Sequence, residues 1–179
     1  MTLSNPRLAK EVADFHVRNK EAHADTEPAR PASYYDKNGL KRYLKLNYKD
    51  AMRGREFRFY LTLKGEKKVI GTVCIGSILF GSVKSCNLSY KIDKDYQDQG
   101  YCSERLEALI DFAFNTLGLH RIERQVMPRN EKSLAIMRKF NFVQEGLQRQ
   151  CYEVNNKWED HYQFAILNDK ISAVQHYDD

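Results

Sequence analysis

Between residues 57 and 117 three β-rich runs follow one another and then give way, through a glycine-containing turn, to a long amphipathic helix. This order restricts the fold more than any other feature. FRFYLTL (57–63) is aromatic and β-rich, KVIGTVCIGSILF (68–80) is a long β-branched run, and KGEK (64–67) reads as the hairpin turn between them. SCNLSYKI (85–92) is a third strand. The helix that follows runs through Leu117, with apolar residues at Leu106, Leu109, Ile110, Ala113, Phe114 and Leu117. Spacings of three and four put one face against a sheet. Gly118 stands where a residue just past the helix C-terminus is expected.

The flanks complete the pattern. Leu8, Val12, Ala13, Phe15 and Val17 give a helix over 7–22, and the two prolines of ADTEPARPAS break it. LKRYLKLNYKDAMR (40–53) is a second helix, with Gly54 at its end. HRIERQVM (120–127) alternates as a strand, and NEKSLAIMRKFNF (130–142) is a short helix with Asn141 in the left-handed terminating position. Residues 142–154, the turn NNK and WEDHYQFAIL (158–167) make a last hairpin, and the polar tail 169–179 is expected to be loosely held. Two helices, three strands, helix, strand, helix and two strands predict one mixed α/β domain (α+β type) over 1–179. Its central sheet is mostly antiparallel and flanked by helices.

The turn itself, YQDQGYCSE (96–104), opens the best helix in the chain. The first amides of a helix have no internal partner and sit at the positive end of its dipole. Gly100 lets a ligand approach without meeting a β-carbon. Together these make a diphosphate site. The competing explanation is an ordinary glycine at a helix start capped by Ser103. The stretch lacks the G-K-[ST] of a nucleotide-triphosphate loop and the three glycines of a dinucleotide fingerprint. The net charge of +5 suits an anionic ligand, with both signs interspersed along most of the chain. Without a recognition motif or a concentrated basic patch, nucleic acid is not the expected partner.

Gln97-x-x-Gly100-x-Cys102 resembles the Q/R-x-x-G-x-G/A signature of the GNAT acetyltransferases, whose amides there hold the pyrophosphate of acetyl-CoA. The chain is most similar to the RimJ/RimL type, the ribosomal-protein alanine N-acetyltransferases. The resemblance rests on NLSYKIDKDYQDQGYCSE, LGLHRIERQVMPRNEKS, FNFVQEGL and NNKWEDH, over roughly residues 55 to 167. Departures are Cys102 at the last small position, Asn141 in place of a glycine, and Asn87 where many relatives carry a glutamate base. The family also usually opens with a strand, whereas this chain is expected to begin almost at its first helix.

The resemblance implies acetyl-CoA as cosubstrate, direct transfer to an amine, and no metal. Cofactor-binding residues are then Gln97, Asp98, Gln99, Gly100, Tyr101, Cys102 and Ser103 at the turn. Tyr90, Lys91 and Ile92 follow, where main-chain amides polarise the thioester carbonyl, and Asn130 bonds the pantetheine arm. Many relatives use a tyrosine acid seven residues after that asparagine. Here Met137 stands there, and the resemblance to RimL-type relatives, which carry a serine three residues after the asparagine, makes Ser133 the expected proton source. Asp160 is the favoured base on the last hairpin, ahead of Glu153, Glu159 and His161. Cys102 as an acylated nucleophile is the less favoured route. The acceptor is a protein N-terminal amine, ribosomal by analogy, with a small amine or a non-catalytic acyl-CoA-binding role as alternatives. A homodimer through the last strands is a further expectation.

Four dispersed cysteines without metal spacing, and no apolar run of signal-peptide or membrane-spanning length, suggest a cytoplasmic protein with free thiols.

Overall fold

The structure is a computed structural model and describes residues 1–169. β3 (Val69–Leu79) is its spine: the first eight residues of the strand are all buried. Helices cover both faces, which is why this run reads as continuously apolar rather than alternating. β1 (Thr2–Leu3), β2 (Phe57–Thr62), β4 (Ser85–Ile92), β5 (Arg121–Val126), β6 (Val143–Val154) and β7 (Lys157–Leu167) complete a seven-stranded sheet in the order β1-β2-β3-β4-β5-β7-β6. Only the β4–β5 pair is parallel.

On one face α1 (Ala9–Arg18) and α3 (Lys37–Met52) bury Val12, Phe15, Leu40 and Leu44 against Tyr60 and Val69. On the other, α4 (Tyr101–Asp111) and α5 (Glu131–Lys139) bury Leu106, Leu109, Leu134 and Met137 against Ile75, Leu88 and Ile122. The arrangement is a sheet between two helical layers, as the sequence pattern requires.

Three details differ from expectation. A first strand is present: Thr2 and Leu3 pair with Tyr60 and Phe59. Two residues carry no periodicity, so only the free edge of β2 reveals them. The helix expected over 7–22 is a 3-10 turn at Pro6–Leu8, then α1, then α2 (Lys20–Ala24), broken at Asn19, whose side chain bonds the Phe15 carbonyl. The helix expected to reach Leu117 widens at Phe112–Thr116, where the Leu117 N–H reaches five residues back to the Phe112 carbonyl. Gly118 (φ +65°) and Asn141 (φ +56°) end their helices in the left-handed conformation, as expected. The tail from residue 170 lies outside the described residues.

One feature of the sheet prepares the site. β4 and β5 pair only at Ser85–Arg121, Cys86–Ile122 and Asn87–Glu123, and then part company. Beyond Asn87, β4 continues for five residues with no strand on that side, while β5 goes on pairing with β7. The far end of β4 is clamped elsewhere. Arg18 donates to Asp93 from Nε (2.8 Å), and Asn19 Oδ1 accepts the Lys94 N–H (2.8 Å). Gly71 lets β3 and β4 close there, since a β-carbon on it would lie 2.7 Å from the Lys91 carbonyl oxygen.

Candidate active site

Where β4 and β5 diverge, a cavity of about 930 Å³ opens. At one end lies the start of α4. Gly100 is its N-cap at φ +85°, and no side chain caps the helix, Ser103 included. The amides of Tyr101, Cys102 and Ser103 are therefore free to meet an anion. Lys132, Arg138 and Lys139 of α5 line the same end. Lys132 contacts Gln97 and Asp98, which line this end as well.

In the middle, Asn130 caps α5: its Oδ1 accepts the Ser133 N–H at 3.1 Å, which leaves its amide NH₂ to donate elsewhere. Ser133 is only 7% exposed and borders the cavity. Beside it stands the Tyr90 hydroxyl, near enough to feel Ser133 and Arg124 but in good hydrogen-bonding alignment with neither. Burial pushes this phenol up, against the pull of Arg124 and Ser133. The Arg124 guanidinium stacks on the Tyr90 ring at 5.1 Å and donates to the Leu88 carbonyl (3.1 Å), while its Nε is buried without a partner. Unsatisfied buried donors at a cavity wall are places where a ligand atom belongs. Cys102 lies here too, and burial pushes its thiol up to about 12. That overrides any lowering by the helix end and disfavours the acyl-cysteine route.

The opposite end is made by the segment after α2. Glu27 pairs with Lys91, which also donates to the Tyr34 hydroxyl (3.3 Å). His23 lies 3.7 Å from Glu27 and bonds the Ile92 carbonyl through Nε2 (2.9 Å). Burial lowers the Lys91 ammonium despite Glu27. Buried His16 is lowered to about 3 by desolvation and then by the positive charges of Lys91, His23, Arg30 and Arg58.

Most residues expected at the site are gathered here: Tyr90, Lys91, Ile92, Gln97, Asp98, Gly100, Cys102, Ser103, Asn130 and Ser133 all line the one cavity. Gln99 and Tyr101 do not; Gln99 bonds the Asp95 carbonyl and the Tyr101 ring packs on Tyr96. Asp160 is absent from the wall as well. Its carboxylate accepts the Gln150 N–H (2.8 Å), and by strand alternation it shares a face with Tyr162 and Phe164. Asn87 is also off the wall. Glu27, Arg124 and the Lys91 side chain were not anticipated.

The model of the acetyltransferase (GNAT) domain matches residues 1–143. The chain belongs to the GNAT acetyltransferase family. A Bacillus subtilis relative, "Probable N-acetyltransferase YjcK", is 31% identical over 89% of this chain and 88% of its own. The [ribosomal protein uS5]-alanine N-acetyltransferase of Escherichia coli is 29% identical over 92% of this chain and 84% of its own. The crystal structure of ribosomal-protein-S5-alanine acetyltransferase from Vibrio fischeri superposes with a TM-score of 0.90 at 30% identity, over 93% of this chain and 91% of that one. The GNAT enzyme described here is thus an N-acetyltransferase with a mixed, mostly antiparallel sheet. No described helix is long and apolar enough to cross a membrane, and no described cluster of three or more His, Cys, Asp or Glu could hold a metal ion.

Proposed function

We propose that this protein transfers the acetyl group of acetyl-CoA to the N-terminal amine of a protein, ribosomal proteins being the first candidates. The observation that carries this is the continuity of the cavity from the free amides of α4, past the unpaired edge of β4, to Glu27. A diphosphate at the first, an extended thioester arm along the second and an amine at the third match one ligand pair. The uS5-alanine enzymes among its relatives favour a protein acceptor.

In this arrangement the main chain of Tyr90–Ile92 faces the thioester carbonyl and polarises it. Glu27, the cavity carboxylate at the acceptor end, attracts the incoming ammonium. After it loses a proton to solvent or to Glu27, the amine nitrogen attacks the carbonyl carbon. As the carbon–sulfur bond breaks, the nitrogen sheds its second proton to solvent, and the sulfur takes the electron pair and a proton. Ser133 is the donor expected from the resemblance, and the Tyr90 hydroxyl beside it can deliver or replenish that proton. The products are the N-acetylated amine and free CoA.

The test is CoA release in the presence of acetyl-CoA and a panel of peptide N-termini, polyamines and amino acids. Turnover highest on peptides beginning with alanine or serine supports the proposal. Preference for a small amine reassigns the acceptor, and CoA binding without turnover on any amine overturns the enzymatic role.

A further inference from the structure

The chain's net charge has an address. Residues 37–53 hold six basic residues (Lys37, Lys41, Arg42, Lys45, Lys49, Arg53) and one acid, Asp50, an excess of five. That equals the +5 of the whole chain and leaves 23 residues of each sign elsewhere. The segment is α3 and the residue after it, and all six basic side chains are exposed. Lys37, Lys41, Lys45 and Lys49 recur every fourth residue, so they rise along one side of the helix at steps of about 6 Å. Leu40, Leu44 and Ala51 take the adjoining, buried side. Asp50 pairs with Arg55, beyond the helix, and none of the six makes an ion pair among the described residues. Lysines four apart repel, and Lys37 and Lys41 also stand at the helix end where the dipole disfavours cations. The pattern thus works against the helix that carries it. Arg7 and Lys10 extend it: with Lys37, Lys41 and the single acid Glu11 they line a shallow depression at the start of α3. Amid the lysines stands Tyr48, 42% exposed.

We infer that the outer face of α3 binds the phosphate backbone of single-stranded nucleic acid, with Tyr48 as a stacking platform for an unpaired base. Regularly spaced cations without counter-charges fit a regularly spaced polyanion, and an exposed ring among them fits a base whose face is free. An anionic membrane would use the charges but have no need of their regular register. The face is distinct from the cavity, yet Tyr43 on the same helix lines the acceptor end. A bound strand would therefore lie about one helix width from the entering amine. The inference does not depend on which amine is acetylated.

Fluorescence anisotropy of the full chain with a labelled 12-nucleotide single-stranded RNA tests it. Micromolar binding is expected at 50 mM salt, falling with log salt at a slope near −3, as about four phosphate contacts imply. K41Q/K45Q/K49Q keeps good helix formers, so the fold should stand, checked by circular dichroism. It should weaken binding at least tenfold and flatten the slope by about 2 units. Y48A should weaken binding about fivefold or more with the slope unchanged. The charge-matched variant K64Q/K67Q/K157Q, away from α3, should bind as wild type. Single-stranded DNA of the same sequence tells backbone chemistry from recognition of ribose. Dissociation constants above about 100 μM at 50 mM salt would overturn the inference, as would equal losses in the two triple variants. Equal or tighter binding to phosphatidylserine vesicles would reassign the face to a membrane.

Discussion

Gly100→Ala separates the two things a glycine can do at the start of α4. The residue sits at φ +85°, and a β-carbon added there would meet nothing within 4 Å. No internal clash contributes, so the folding cost is the left-handed conformation alone, about 1–2 kcal/mol. For a chain of this size that lowers Tm by roughly 2–8 °C. Gly81 supplies the matched control: φ +75°, nothing within 4 Å, and no place in the cavity wall. Gly81→Ala should therefore cost a similar amount of stability and leave ligand binding alone. Gly100→Ala additionally puts a methyl group where the proposed diphosphate must approach the amides of α4. Loss of even one well-aligned, charge-assisted hydrogen bond there is worth about 1.5–3 kcal/mol, a ten- to hundredfold rise in the dissociation constant. Calorimetric titration of CoA into both variants, beside their melting curves, gives the two quantities independently. Similar Tm shifts with CoA affinity lost only in Gly100→Ala are expected. Unchanged affinity in a folded Gly100→Ala protein would refute the placement of the diphosphate.

Other expectations follow from the same geometry. Ser133→Ala and Tyr90→Phe should each lower kcat, by about tenfold to a hundredfold if that hydroxyl supplies the proton, with CoA affinity nearly unchanged. If the two share one path, the double variant should be little worse than the more damaging single one. Glu27→Gln should raise KM for the amine about tenfold and leave KM for acetyl-CoA unaltered, read from initial rates with each substrate varied. His16 is neutral in the fold, its pKa about 3 against 6.5 when unfolded. Below pH 6.5 the unfolded chain takes up the proton first, so stability is fully present above that pH and falls as pH drops toward 3. The loss reaches roughly 2 kcal/mol at pH 5. His16→Gln should flatten this part of the curve of Tm against pH, and an unchanged slope would show that His16 is not its source.

The strands from 57 to 92 were legible because the chain alternates between β-branched runs and short polar turns there. The helix ends at Gly118 and Asn141 were legible because few residues tolerate the backbone they adopt. The α4 end of the cavity was visible for a similar reason: its key feature, a glycine opening a helix, is local. The Glu27 end was not, because it joins residues far apart in the chain; Lys91 and Glu27 are separated by 64 positions. No spacing rule links them, and only the packing of the segment after α2 against β4 does. Asp160 was chosen for its place on the last hairpin, and sequence gives no measure of how far that hairpin stands from the cavity wall. The lysines of α3 were visible one by one, but their segregation onto a single outer face depends on which side Leu40 and Leu44 bury.

The seam between β4 and β5 carries a last consequence. A sheet that parts after three paired residues forgoes hydrogen bonds that a zipped pair would make. Closing it would make the molecule sturdier and erase its cavity. Arg124 stands in the way, its guanidinium occupying the Leu88 carbonyl that a neighbouring strand would otherwise claim. Substitutions selected only for heat resistance are thus expected to heal this seam, Arg124 among the first to change, and to yield a better-folded protein that no longer has room for the proposed substrates.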